Sequence, residues 1–218
     1  MGQKVNPTGF RMGTFLPWRS RWFVDNKKYK DFLLEDIKIR KALMEKLKLS
    51  GITLVEIERL PKSMTVILTV SRPGVVIGRG GTGLEDIKRF ILEAISSIRG
   101  EKVKDLKIDL QVQEVKNPET SAKLVAMRII SELERRIPHR RVVTKAMERV
   151  MQSGALGVKI ILSGRIGGAE ISRKEKYHEG SVPAQTLREN IDYAESPALL
   201  KRGYVGVKVY IHKKEEQS

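Results

Sequence analysis

A glycine-rich turn between two apolar runs constrains this chain more than any other feature. Residues 75–87 read VVIGRGGTGLEDI, so a bare turn that carries one arginine, Arg79, separates two short hydrophobic segments. Glycine lets a ligand come close to backbone N–H groups, because no side chain keeps it away. The turn therefore predicts a phosphate-binding loop. The phosphates could belong to a dinucleotide, a nucleoside triphosphate or a nucleic-acid backbone.

The charge balance of the chain favours the nucleic-acid backbone. Its 218 residues include 42 Lys and Arg against 26 Asp and Glu, which gives a net charge of +16. Such a surplus indicates an anionic polymer as partner, since each neutralised phosphate releases counterions. No cysteine is present, so disulfides and thiolate metal sites are excluded. The chain also lacks a signal peptide's apolar core and an apolar run of membrane-spanning length, and we expect a soluble intracellular protein without a membrane partner.

Hydrophobic periodicity predicts the order helix, strand, strand, short helix, glycine turn, helix, strand for the first half. Helical spacing occurs over about 29–49 and again after the turn, and alternation marks strands at 52–60, 63–70 and 106–112. On the first helix the predicted core-facing residues are Leu33, Ile37, Met44 and Leu47. This unit can be complete by about Val115.

The second half begins with Asn117-Pro118-Glu119, a combination typical of the start of a helix. We expect one helix up to Pro138, a second from about His139 to Ser153-Gly154, and strands at 158–162 and 205–211. The predicted organisation is a basic N-terminal arm over 1–24, an α+β domain over 25–116, a second small α/β domain over 117–212 and a charged tail over 213–218. In the second domain, two helices pack on a mainly antiparallel sheet.

Two nucleotide-binding interpretations of the glycine turn fail on their context. Gly78, Gly80 and Gly83 satisfy G-x-G-x-x-G, but no full strand precedes them and no acidic residue ends a second strand about twenty residues later. A P-loop needs Lys and Ser or Thr after its last glycine, and neither follows. The three histidines are far apart in sequence and no catalytic motif is present. We therefore expect no enzyme, no small-molecule substrate, no cofactor and no metal.

Taken as G-x-x-G, the turn resembles the loop of the KH domain. The family pattern V-I-G-x-x-G-x-x-I is met by Val76, Ile77, Gly78, Gly81 and Leu84. The order of predicted elements matches the second type of this family, αββααβ. The resemblance implies a type II KH domain that clamps about four nucleotides of a single strand with Gly78, Arg79, Gly80 and Gly81. A tight helix–helix turn without a ligand is the alternative.

Basic residues also cluster in the second half. Arg141, Lys145 and Arg149 are spaced by four residues, which stacks them on one helix face, and phosphate contact is favoured over a merely solvated face because the charges have one sign. Gly164–Ala169 is a second glycine turn with one arginine, Arg165, and further cations follow it. Read locally, this segment is equally typical of a hairpin turn and of a phosphate contact.

Several segments together resemble the family of third proteins of the small ribosomal subunit, in its bacterial form. Besides the glycine turn, these segments are 2–11, 112–118, 163–170, 182–188 and 191–193. The resemblance implies a non-enzymatic constituent of the subunit head, in the cytoplasm, that binds small-subunit ribosomal RNA. It also implies contacts with messenger RNA and with neighbouring head proteins, in the cluster of the third, tenth and fourteenth proteins. A free-standing KH-type RNA chaperone or regulator is the alternative.

The resemblance assigns RNA contacts to particular basic residues. The grip on the incoming messenger, which helps to open its hairpins, falls by the resemblance on Arg140 and Arg141. The helical spacing adds Lys145 and Arg149 to the same predicted basic face. Thr144 stands where the family often has a lysine. The residues predicted to bind ribosomal RNA are Lys4, Arg11, Arg19, Arg21, Arg165, Arg173 and Lys174.

Overall fold

A computed structural model describes residues 3–61, 63–99 and 106–214. The chain divides into two units, one formed by Trp18–Lys116 and the other by Met1–Pro17 together with Asn117–Ser218. The expected N-terminal arm, residues 1–24, is therefore not one separate segment, because its parts belong to different units. Of the expected charged tail, residues 215–218 lie outside the described residues.

The described residues form six α-helices and eight β-strands. The helices are α1 (Pro7–Arg11), α2 (Asn26–Lys46), α3 (Pro73–Ile77), α4 (Thr82–Arg99), α5 (Ala122–Glu134) and α6 (His139–Gln152). The strands are β1 (Ser20–Arg21), β2 (Ile52–Arg59), β3 (Ser63–Val70), β4 (Lys107–Glu114), β5 (Gly157–Gly164), β6 (Arg173–Gly180), β7 (Ile191–Leu200) and β8 (Gly203–His212). Within the described ranges, no helix combines the length and the apolar character that crossing a membrane requires.

The first unit has the order α2-β2-β3-α3-α4-β4, preceded by the short β1. Strands β2 and β3 form an antiparallel pair, and β4 joins β3 in parallel, so the sheet order is β1-β2-β3-β4. This is the predicted αββααβ order of a type II KH domain. The core forms where the alternating face of β3 meets one face of α4, and its buried residues include Met64, Val66, Leu68, Val70, Ile87, Ile91 and Ile95.

The buried face of α2 differs from the predicted one. Of the four predicted core residues, Leu47 is buried and Met44 packs against the core, but Leu33 and Ile37 are 39% and 51% exposed. Glu35 and Asp36 are buried instead. Arg59 of β2 explains the difference, since its guanidinium lies 2.7 Å from Glu35 Oε2 and 2.6 Å from Asp36 Oδ1. A buried carboxylate is tolerated when a charge-assisted hydrogen bond compensates for its lost hydration. The inward side of the helix thus combines this ion pair with Ile39 and Leu43, which are buried in the core.

The second unit contains two helices on an antiparallel sheet, as predicted. The strand order is β6-β5-β8-β7, and all three pairings are antiparallel. Helices α5 and α6 contact one face of this sheet. Alternate residues of the two central strands are buried under the helices, namely Val158, Ile160, Leu162, Val205, Val207, Val209 and Ile211. The opposite face of the sheet carries polar and aromatic side chains and also Ile161, which is buried.

Candidate nucleic-acid interface

The predicted KH loop joins α3 to α4 through a tight 3₁₀ turn, Arg79–Gly81. Gly78, Gly80 and Gly81 have φ angles of 70°, 63° and 82°, which glycine adopts without steric cost. A Cβ added at Gly80 or Gly81 would meet no atom of the described chain within 4 Å. Arg79 is exposed. The backbone of this turn is therefore open to a ligand, and a positive charge stands beside it.

Gly83 has a packing role that the sequence analysis did not identify. A Cβ at this position would lie 2.4 Å from the carbonyl oxygen of Val76 and 2.9 Å from that of Ile77. The first turn of α4 therefore lies directly against the end of α3, where only glycine fits. The side-chain hydroxyl of Thr82 donates to the carbonyl of Arg79 at 3.0 Å. Together these contacts hold the open loop in one conformation.

Arg11 does not have the predicted contact with RNA. Its side chain is fully buried, and its guanidinium donates to the carbonyl oxygens of Pro7 at 3.1 Å, Thr186 at 2.6 Å and Glu189 at 2.8 Å. Burial lowers the pKa of Arg11 from its ordinary value, and the carboxylate of Glu189 partly opposes this. Because a guanidinium has five donors, backbone carbonyls can satisfy it inside the protein. The residue anchors α1 to the segment before β7.

Arg19 and Arg21 are exposed at β1, as an RNA contact requires. Arg21 already has an acidic partner, because its Nε lies 2.9 Å from Glu58 Oε1. Between the strand and α2, the indole N–H of Trp22 donates to Asp36 Oδ2 at 2.8 Å. This aromatic residue therefore anchors the segment to its own unit instead of offering a surface for base stacking.

Two of the four cations predicted on α6 lie together over a cavity. Arg141 and Lys145 are exposed, and both line a cavity of about 350 Å³ beside the connection between α5 and α6. Arg135 adds a third cation to its wall, whereas Glu132 adds an acid and Ile137 an apolar surface. This arrangement can hold a phosphate and cover part of an apolar group.

The other two cations turn away from this cavity. Arg149 is half-buried and lies near Glu119, whose pKa is lowered mainly by a hydrogen bond from Arg128 and further by the charge of Arg149. Arg140 is exposed and lies toward β6. Two residues eight positions apart on a helix point in directions that differ by about 80°. Arg141 and Lys145, four positions apart, therefore lie close together, whereas Arg149 points in a different direction from Arg141.

The carboxylate of Glu175 on β6 lies among basic side chains at the start of α6. Oε1 of Glu175 lies 2.8 Å from Nε of Arg173, and its Oε2 accepts the hydroxyl of Tyr177 at 2.5 Å. The hydrogen bond from Tyr177 is the main cause that lowers the pKa of Glu175, and His139, Arg173 and Arg140 add to it. Oε2 also lies 3.1 Å from Nε2 of His139. The two atoms do not form a hydrogen bond, and this buried nitrogen has no other hydrogen-bond partner among the described residues. Arg140 and Arg173 thus belong to one patch.

The second glycine turn, Gly164–Ala169, connects β5 to β6 and is closed by side chains. The Nε of Arg165 donates to the carbonyl of Ala169 at 2.9 Å. Arg202, in the turn between β7 and β8, donates from its Nη1 to the carbonyl of Gly168 at 2.5 Å. The guanidinium of Arg165 is therefore partly used inside the turn, although the side chain is exposed. The structure has a hairpin connection here, and the carbonyls of Gly168 and Ala169 already accept side-chain hydrogen bonds.

Lys4 and Lys174 are both exposed and lie near Lys159 of β5. The pKa of Lys159 is lowered mainly by burial, and then by the positive charges of Lys4, Lys176 and Lys174. Successive residues of a strand point to opposite faces of the sheet, so Lys174 lies on the other side from Arg173. The cations predicted to bind ribosomal RNA in this unit thus occupy two separate surfaces.

An open glycine loop in an αββααβ unit, together with exposed cations in a chain of net charge +16, defines a KH-type nucleic-acid-binding protein. Comparison with known families gives the same class. A family model described as KH domain matches residues 38–120, and one described as Ribosomal protein S3, C-terminal domain, matches residues 129–211.

Curated relatives cover nearly the whole chain and share one name, small ribosomal subunit protein uS3. The relative from Caldicellulosiruptor saccharolyticus is 46% identical over 98% of this chain and 92% of its own length. Those from Persephonella marina and Clostridium novyi are 45% and 43% identical over 98% and 99% of this chain, and over 90% and 94% of their own lengths. The chain therefore belongs to the uS3 family, whose members are ribosomal proteins and not enzymes.

Proposed function

We propose that this chain is a structural constituent of the head of a bacterial-type small ribosomal subunit in the cytoplasm, where it binds ribosomal RNA and grips messenger RNA as it enters. Membership of the uS3 family supports the ribosomal role. The net charge of +16 supports binding to RNA. Sedimentation tests this assembly. A ribosomal constituent remains with the small subunit after a moderate salt wash, whereas a free-standing RNA chaperone stays in the supernatant.

The contact with ribosomal RNA involves both units of the chain in this proposal. Six of the seven cations predicted for it are exposed, namely Lys4, Arg19, Arg21, Arg165, Arg173 and Lys174. In this proposal, α2 is the contact surface for the neighbouring head proteins, which are the tenth and fourteenth proteins of the cluster. Leu33, Leu34 and Ile37 are 39%, 42% and 51% exposed there, and a protein partner would cover them.

The grip on messenger RNA is carried by the start of α6. Its support is the exposure of Arg140 and Arg141 at adjacent positions that face different neighbours. Arg141 lies beside Lys145, and both line the cavity. Arg140 belongs to the patch of cations around Glu175. A single strand that crosses this corner meets cations on both sides. Exposed Thr144 contributes no charge, and Lys145, one residue later, supplies a cation in its place.

Replacing Arg140 and Arg141 together by Ala tests the grip. Ribosomes that carry this variant are expected to assemble normally but to slow at a stable messenger hairpin, because two cations near the strand are lost. Translation rates through a hairpin and through an unstructured message of equal length are compared.

The control is Lys27→Ala with Lys28→Ala, which removes the same charge from exposed positions on α2. Equal rates through the hairpin for the arginine variant and for this control would show that the pair does not engage the messenger. Loss of the variant protein from small subunits would instead assign the two arginines to assembly.

A further inference from the structure

The face of the second sheet that α5 and α6 leave uncovered carries a dense group of polar side chains. The strand register places these residues in rows across β6, β5, β8 and β7. One row consists of Lys176, Ile161, Lys208 and Glu195. The adjacent row consists of His178, Lys159, Tyr210 and Tyr193. Lysines and tyrosines thus stand side by side on a surface made of rigid strands.

The two tyrosines form an aromatic pair at one side of this surface. The ring centroids of Tyr193 and Tyr210 are 4.8 Å apart, and the planes are inclined by 48°. Lys159 Nζ lies 5.7 Å from the centroid of Tyr210. The hydroxyl of Tyr193 donates to Glu195 Oε2 at 2.5 Å, which holds the ring in place. Aromatic rings fixed on strands beside a cation offer a stacking surface for a base.

The charges of this surface are mostly of one sign. Lys208 has an acidic partner, since its Nζ lies 3.1 Å from Glu195 Oε2. Lys159 has cations as its charged neighbours, and Lys174 and Lys176 approach it from β6. Repulsion among these amines raises the free energy of the isolated protein, and a row of phosphates would remove it. The surface is therefore complementary to a polyanion.

We propose that this lysine–tyrosine face, defined by Lys159, Lys174, Lys176, Lys208, Tyr193 and Tyr210, binds an unpaired strand of RNA. The lysines contact successive phosphates and one base stacks on the tyrosine pair. The inference rests on the proposed function and adds a second RNA contact, on the side of the sheet away from α6. An unpaired strand fits better than a duplex, because the bases of a duplex are already stacked on one another.

The lysines are tested by the salt dependence of RNA binding to the purified full chain. The probe is a fluorescent single-stranded oligonucleotide, and Lys174→Ala with Lys176→Ala is compared with the charge-matched Lys27→Ala with Lys28→Ala. Each phosphate contact on a single strand contributes about 0.7 to the slope of log affinity against log salt, so the first variant is expected to lower the slope by about 1.4. An equal decrease in both variants, or in neither, would overturn the proposal.

The tyrosine pair is tested by Tyr210→Leu and Tyr210→Phe. The leucine variant is expected to bind the single strand about five-fold or more weakly and a duplex of equal length with unchanged affinity, because only the unpaired base stacks. The phenylalanine variant keeps the ring and should keep the affinity, which also separates loss of stacking from loss of folding. Unchanged single-strand binding by the leucine variant, or equal weakening for both RNAs, would contradict the stacking site.

The same variants separate this inference from the proposed function. Arg140→Ala with Arg141→Ala is expected to retain the preference for single strand over duplex that depends on Tyr210. Lys176→Ala, which keeps Lys174 and its proposed contact with ribosomal RNA, is expected to leave translation through a hairpin unchanged. If the lysine variant alone slows the ribosome at hairpins, the messenger grip lies on this face and the assignment to α6 is wrong. If only the arginine variant has an effect in both assays, the inference fails and the proposed function stands.

Discussion

The two glycine turns have nearly the same residues but different surroundings. Arg79–Gly81 and Ile166–Gly168, which follows Arg165, each form a 3₁₀ turn that contains a glycine with positive φ. In the first, the glycines face open space. In the second, Ile166 is buried, Arg202 binds a turn carbonyl, and a Cβ at Gly167 would come within 3.6 Å of a histidine ring.

This difference shows that a glycine-rich arginine turn has no fixed function. In the first turn, glycine leaves the backbone accessible. In the second, positive φ favours glycine at Gly167 and Gly168, and at Gly164 the carbonyl oxygen of Tyr204 also leaves no room for a Cβ. One apolar residue separates the two patterns. Ile166, the first residue of its 3₁₀ turn, enters the core of the second unit, whereas Arg79, at the same position of the first turn, stays exposed.

The largest effect is expected from Gly164→Ala at the start of the closed turn. Gly164 has φ of 124°, and a Cβ there would lie 2.7 Å from the carbonyl oxygen of Tyr204. Backbone strain and the clash should lower the free energy of unfolding by about 2–4 kcal/mol, measured by urea denaturation. The matched variant Gly80→Ala has space and should cost only about 1 kcal/mol. Equal losses at both sites would remove the distinction between the turns.

An intermediate effect is expected when charge is introduced into the open turn. Gly80→Asp with Gly81→Asp places two carboxylates where the loop would meet phosphates, and affinity for a single strand should fall about ten-fold relative to the pair Gly80→Asn with Gly81→Asn. Asn has nearly the same shape and also tolerates positive φ, so the comparison isolates charge. Fluorescence anisotropy with a labelled oligonucleotide measures both. Identical affinities would show that the loop of the free protein does not touch RNA.

The smallest effect distinguishes the two arginines of the turns. Arg79→Ala is expected to lower the slope of log affinity against log salt by about 0.7, the contribution of one phosphate contact on a single strand. Arg165→Ala should change this slope less, because its Nε is bound to Ala169 within the turn. Titrations at several salt concentrations measure both. A larger change for Arg165 would identify the closed turn as the RNA contact.

Elements with a clear apolar period could be predicted from the sequence. The strand β3 and the helix α4 have the buried positions that alternation and helical spacing indicate. The edge strands β6 and β7 were not predicted individually. β6 reads RKEKYHEG, with no apolar alternation, and β7 contains Pro197. Charges and proline on edge strands limit unwanted pairing, and they also remove the pattern by which a strand is recognised.

Where burial depends on polar partners distant in sequence, prediction failed. The inward face of α2 includes Glu35 and Asp36, which pair with Arg59. Arg11 is buried because carbonyls about 175 positions away accept its N–H groups. Neither partnership leaves a local pattern. The loop glycines, by contrast, were identified from local sequence alone, since positive φ is a local property.

The position of β8 in the centre of the second sheet has a consequence for biosynthesis. Among the described strands this one is the last in chain order, yet it pairs with both β5 and β7. The KH unit ends its sheet with β4, about a hundred residues earlier, so it can fold on the nascent chain while its partner unit is still unfinished. Until the segment that binds Arg11 has emerged, α1 has no anchor. The N-terminal residues, translated first, are thus among the last to reach their native contacts.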